Sequence, residues 1–185
     1  MASARGKGRG RGRALVFVIV FLGGGFALYA APPHPQVVDW PVAQCVQKTP
    51  ELAAMPWVEV TVADAEPERG ETAAVFHARL AATGPHRAAG MQHLCPEAIA
   101  VNPILFVFAE PTRPAFHMDN VHAALDIAFI NANGVIVAIE RMTPDQRTLT
   151  RANQPVAAAL ELPAGRADAY GLVEGMVIKW SQPVE

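Results

Sequence analysis

Between Phe116 and Met142 the chain reads FHMDNVHAALDIAFINANGVIVAIERM, and this stretch holds the side chains best suited to chemistry: His117, Asp119, Asn120, Asp126 and Glu140. Two carboxylates held face to face repel unless a cation or a shared proton intervenes, and either remedy shifts their titration. Asp126 and Glu140 are therefore a candidate acid/base pair or metal-binding edge, floored by Ala128 and Ala138. The alternative is that Arg87 or Arg141 neutralises them and the cluster only fixes the sheet. His117 and Asp119 alternate with inward-pointing Phe116 and Met118 on an extended segment, so they share its outer face. With His122 they have the donor types of a zinc or copper site. Spacing supplies neither a dependable third ligand nor its supporting shell, and no metal is assigned.

Whether Asp126 meets Glu140 depends on how Asn133-Gly134 closes the hairpin. A two-residue turn pairs Asp126 with Arg141 and sets the apolar trio Leu125, Ile127 and Phe129 against Met142, Glu140 and Ala138. A three-residue loop with Gly134 in the left-handed conformation pairs Asn131 with Val135, Phe129 with Val137 and Ile127 with Ile139. The second register keeps a carboxylate out of the apolar face and is the one expected; it places Asp126 opposite Glu140.

The elements that must carry these residues are short. WVEVTVAD alternates around Val58, Val60 and Val62, and ETAAVFHARLA sets Phe76, Ala78 and Leu80 against Val75, His77 and Arg79; both read as strands. TGPHRAAGMQHL reads as a short helix, capped by Thr83, with Pro85 in its first turn and Gly90 as its stop. PILFVFAE, AFHM, AALDIAFI, GVIVAIER and VAAALEL come next as strands, then AGRADAYG as a short helix and GMVIKW as a last strand. Many short strands with one or two brief helices predict a mainly β fold, a small antiparallel sandwich or compact barrel.

Ahead of that domain, Arg5, Lys7, Arg9, Arg11 and Arg13 precede an 18-residue apolar run from Ala14 to Ala31. At about 1.5 Å per residue such a run just crosses a bilayer core. Basic residues before it predict that the remainder faces outward, whether the run is a retained anchor or a signal peptide cleaved after LYA. The expected plan is residues 1–31 as basic tip and membrane segment, 32–56 as a proline-rich spacer, and 57–185 as the globular domain. The expected address is periplasmic or otherwise extracytoplasmic, with the cytoplasmic membrane as partner through residues 14–31. From residue 31 onward 10 basic side chains face 17 acidic ones, a net of −7, which disfavours nucleic acid. Cys45 and Cys95 are the only cysteines. In an oxidising envelope they suit one disulfide, although spacing alone leaves two unrelated thiols open.

The order HRAAGMQHL, PILFVF, LDIAFINANG, LELPAG and GMVIKW resembles a bacterial and archaeal family catalogued as domain of unknown function 192, over about residues 72–180. The resemblance implies a small β-rich domain, often exported, with no established activity. It also implies a polar site, since the family's Arg before GLM falls on Arg87 and the Asn and Asp of its FWMKNT…PLD stretch fall on Asn120 and Asp126. This chain departs from the pattern at His117, where the family has Trp, at Asp119, where it has Lys, and at Ala124, where it has Pro.

Three functions stand as expectations. One is a ligand- or partner-binding envelope domain using Arg87, Asn120 and Asp126, for an unknown small ligand or envelope protein. Another is a hydrolase or lyase using Asp126 and Glu140, with or without a metal at His117 and Asp119. The third is a structural part of an envelope assembly. The chain carries no nucleophile elbow, phosphate loop or dinucleotide fingerprint, so no cofactor is assigned; its only serines are Ser3, ahead of the apolar run, and Ser181, in the terminal tail, which removes a serine hydrolase.

Overall fold

The computed structural model describes residues 45–64, 72–144 and 146–183. The apolar run 14–31 and the basic tip lie outside them. Among the described residues no helix is long and apolar enough to cross a membrane.

The seven strands are β1 (Trp57–Ala63), β2 (Thr72–Ala81), β3 (Ile104–Thr112), β4 (Leu125–Ile130), β5 (Ile136–Met142), β6 (Val156–Pro163) and β7 (Val177–Trp180). They form a single sheet in the order β5-β4-β6-β3-β2-β1-β7. All pairings are antiparallel except β2 with β3. The start of β5 meets β7 through a Val135–Val177 bridge, and the Ile178 N–H donates to the Gly134 carbonyl at 2.8 Å. The fold is thus mainly β, as expected, but it is one curled sheet, a half-barrel whose edges touch at one end, and not two facing sheets. The parallel pair exists because the chain between β2 and β3 folds into two helices, α2 (Gly84–Ala89) and α3 (Pro96–Val101), a crossover that a tight turn could not supply.

Each face of the sheet has its own core. Every strand contributes to one cluster, including Val58, Val60, Val62, Phe76, Leu105, Ile130, Ile136, Leu160, Leu162 and Ile178. The short helix α4 (Arg166–Ala169) brings Ala167 to this side. The second cluster joins Ile104, Phe106, Leu125, Ile127, Phe129 and Ala159 of the other face to Met91, Leu94, Ile99, Phe116 and Met118. Strand β4 is buried on both sides, which is why LDIAFI carries almost no alternation.

The segment expected as spacer reaches the fold earlier than residue 57. Pro50–Ala54 forms a helix, α1, capped by Thr49, whose Oγ1 accepts the Leu52 N–H at 3.1 Å. Leu52 and Met55 are buried in the second cluster. Cys45 and Cys95 form a disulfide with Cα atoms 4.8 Å apart, and Val46 bridges to Leu94 beside it. Helix α3 occupies what reads in sequence as a long connection. AFHM contributes only one isolated bridge, Phe116 to Thr150.

The hairpin takes the expected loop and then departs from the expected register. Asn131 donates its N–H to the Val135 carbonyl at 2.9 Å, Gly134 has φ +79°, and Asn131 Oδ1 accepts the N–H groups of Asn133 and Val135. Ile130 pairs with Ile136, but the next pair is Phe129 with Ala138, because Val137 is the extra residue of a β-bulge. Val137 and Ala138, although consecutive, both pack on the second core cluster. Beyond the bulge Asp126 faces Arg141, and Glu140 faces Ile127. The expected cost of that register does not arise, since β5 is an edge strand and Glu140 stays exposed.

Gly134 is required twice over. A Cβ there would sit 2.9 Å from the Ile178 carbonyl oxygen, in a backbone conformation that L residues disfavour. Gly134→Ala should cost about 1–3 kcal/mol, read as a lower urea midpoint at unchanged slope.

Candidate functional site

The side chains with unspent chemistry converge on the face of the second cluster, where β6 runs between β3 and β4. Glu161 pairs there with Ile104 on one side and Ile127 on the other, so its carboxyl points into an otherwise apolar face. It is 5% exposed, and Oε2 has no hydrogen-bond partner among the described residues. Burial pushes its carboxyl up to about 8, so near neutral pH it is an uncharged acid able to donate a hydrogen bond.

A cavity of about 180 Å³ opens above it, lined by Arg87, Gly90, Phe106, Phe108, Phe116 and His117 among others. Helix α2 builds one wall. Thr83 caps it by accepting the His86 N–H at 3.3 Å, and Gly90 stops it at φ +47°. A Cβ at Gly90 would lie 3.6 Å from the Phe106 ring and 4.0 Å from Glu161 Oε2, so the glycine leaves the approach to the carboxyl open. Arg87, half-buried, donates from Nη1 to the carbonyls of Ala82 and Val107 at 2.6 and 3.1 Å, which fastens α2 to β3. Its guanidinium lies 5.8 Å from the centre of the Phe108 ring. Three phenylalanines stand among otherwise small and aliphatic residues of the remaining wall; Phe116 meets Phe106 and, in the core behind, Phe129 edge-on, with centroids 5.2 and 5.8 Å apart.

Of the residues singled out in the sequence, Arg87 and His117 line this cavity. Asp119 is exposed beside His117 and donates its N–H to His117 Nδ1 at 3.2 Å. Among the described residues no third His, Cys, Asp or Glu joins them in a metal-binding group. Asn120 is exposed at φ +58°, and its carbonyl accepts the His93 N–H at 2.7 Å. Asp126 belongs to the opposite face, where it receives a hydrogen bond from Arg141 Nε and from the N–H groups of Gly165 and Ala167. The hydrogen bond to Asp126 raises the Arg141 guanidinium further above its ordinary value. Glu140 sits on the other side of the hairpin from Asp126, because facing pairs alternate sides and the bulge has moved it by one residue. The expected Asp126–Glu140 pair is therefore not assembled; an arginine neutralises Asp126 instead.

Glu161 is the site residue that the sequence reasoning missed. It stands in VAAALELP as a single acid between Leu160 and Leu162. Extending the alternation of Ala159 by two residues turns it toward the core, a signal that becomes readable once β6 is known to be a central strand.

A profile of the family described as DUF192, Uncharacterized ACR, matches residues 56–180. The fold is similar to a crystal structure from Sinorhizobium meliloti 1021 described as a "putative transcription regulator", with 26% identity and a TM-score of 0.58 over 68% of this chain and 95% of that one. It is also similar to a protein of unknown function from Novosphingobium aromaticivorans DSM 12444, at 27% identity and a TM-score of 0.56 over 72% of this chain and 98% of that one. No curated protein matches.

Proposed function

Since the chain belongs to the uncharacterized DUF192 family, we propose a role from its own cleft: it is a small-ligand-binding domain, exported and tethered to the cytoplasmic membrane through residues 14–31. The observation that carries this reading is Glu161 Oε2, buried without a partner among the described residues on the floor of a cavity. An unsatisfied buried oxygen costs about 1–3 kcal/mol, and a bound ligand that hydrogen-bonds to it recovers part of that. A cavity lined mainly by apolar and aromatic side chains, with a few convergent polar groups, is the usual form of a binding pocket. The address is supported by the basic and apolar amino-terminal run and by the Cys45–Cys95 disulfide, a bond that persists in oxidising compartments.

Thermal unfolding of the full chain, in the presence of small anions, cations and neutral polar compounds, tests the binding role. At least one class should raise Tm by several degrees. The gain should vanish in Ala115→Trp, which places a bulky ring at the mouth of the cavity on an exposed position. No shift with any class, or an equal shift in the blocked variant, overturns the reading.

A further inference from the structure

Resting on that reading, we propose that the cleft takes a small organic carboxylate, its apolar body against Phe106, Phe108 and Phe116 and its head group shared between the Arg87 guanidinium and the Glu161 carboxyl. The charge of the lining decides the sign of the ligand. Arg87 is a permanent cation, and Glu161 is the only acid in the wall among the described residues. An ammonium group would enter against Arg87 with no ionised carboxylate to receive it, whereas an anion gains from the same field.

The donors favour a planar acid over a point anion. Both hydrogen bonds of Arg87 among the described residues leave from Nη1, so the Nε and Nη2 edge of the fork remains for a two-oxygen acceptor. Glu161, kept protonated by burial, offers one O–H to the second acceptor position, and a carboxyl beside a carboxylate shares its proton in a charge-assisted bond. The three phenylalanine rings in the lining favour a ligand with an apolar body over a hydrated ion such as free phosphate, which would give up part of its hydration shell against them.

The same arrangement makes binding depend on a proton. The charged and titratable groups in the lining around Glu161 are Arg87 from α2 and His117 from the segment before β4. The pairing neighbours on either side, Ile104 of β3 and Ile127 of β4, bring hydrocarbon only. Binding that uses the Glu161 proton holds its affinity below the carboxyl's value of about 8 and weakens roughly tenfold per pH unit above it.

Titration calorimetry on the full chain, with benzoate, benzamide and benzylamine as probes at pH 6.5, 7.5, 8.5 and 9.5, tests this. Benzoate should bind at pH 7.5 at least tenfold more tightly than either other probe. Its Kd should rise roughly tenfold between pH 8.5 and 9.5, and that rise should persist in His117→Asn and disappear in Glu161→Gln. Arg87→Lys, which keeps the charge but loses the fork, should weaken benzoate about tenfold. Preferential binding of benzamide or benzylamine, or benzoate affinity that is flat across pH 8–9.5 in the wild-type chain, overturns the carboxylate and leaves a ligand-binding cleft standing. No heat with any probe, while another class raises Tm as above, also overturns it. No response to any compound in either experiment overturns both readings. The wild-type pH series carries the test alone where a variant does not fold.

Discussion

Glu161→Gln should make the protein far less sensitive to alkali, and the difference should be the largest pH effect of any single substitution here. In the folded chain burial holds the Glu161 carboxyl at about 8, against an ordinary value of 4.5. Below 4.5 both folded and unfolded chains keep the proton, and the group adds no pH dependence. Between 4.5 and 8 the unfolded chain has released its proton while the folded chain retains it, so raising the pH favours unfolding by up to about 1.4 kcal/mol per unit. Above 8 both forms are ionised and the loss is complete, on the order of 5 kcal/mol. Glutamine has no proton to lose.

Urea unfolding of wild type and Glu161→Gln at pH 4, 6, 7, 8 and 9 measures the effect. The two stability curves should converge or cross at acid pH and separate steadily to pH 8, with glutamine the more stable at the alkaline end. Parallel curves would show that the carboxyl ionises normally in the folded chain and is not a neutral donor on the floor of the cleft. A bound carboxylate should carry the wild-type decline on above pH 8, because it holds the proton more tightly still.

The contrast between Glu161 and Asp126 shows what the amino-acid pattern reveals and what it leaves hidden. Period-two alternation in WVEVTVA and FHARLA locates β1 and β2 and their buried sides, since each of these strands has one face on the core. Thr83, Pro85 and Gly90 mark both ends of α2 because capping is local chemistry. The loop 132–134 is equally local, and Asn131 and Gly134 close it as expected.

The pairing of β5 beyond that loop is set by distant contacts. The bulge at Val137 is accommodated because β5 lies at a sheet edge, where Glu140 escapes to solvent. One extra residue changes every facing pair beyond it, so a correct turn gave way to an incorrect partner for Asp126. Glu161 was passed over for a similar reason: its significance comes from β3 and β4 lying on either side of β6, a neighbour relation that no single strand's pattern contains. Arg87 was legible through the family resemblance and His117 through its alternation with Phe116 and Met118, and the fold brings both to the same cavity. Helix α1 was obscured by its prolines, although Thr49-Pro50 is itself a helix start, a cap with proline in the first turn.

Asp126→Ala should destabilise the fold by about 3–5 kcal/mol, roughly 10 °C or more in Tm for a chain of this size, although Asp126 is remote in sequence from what it holds. Its carboxylate is 3% exposed and accepts the N–H groups of Gly165 at 2.7 Å and Ala167 at 3.2 Å, besides the Arg141 Nε. Helix α4 has only four residues, and its N-cap, Gly165, has no side chain to cap it. Asp126 therefore acts as the missing cap from β4, satisfying the first donors of a helix that begins beneath the sheet. Alanine leaves the buried Ala167 N–H and the half-buried Gly165 N–H unpaired. Arg141 has a different fate, because its side chain is 51% exposed and water replaces the lost carboxylate. The expected order of loss is thus Asp126→Ala, then Asp126→Asn, which keeps one acceptor oxygen for the N–H groups, then Arg141→Ala. Chemical unfolding at pH 7 ranks the three. If Arg141→Ala cost as much as Asp126→Ala, the carboxylate's worth would lie in the ion pair and not in the helix start; added salt would then erode it, whereas hydrogen bonds to buried N–H groups are insensitive to screening.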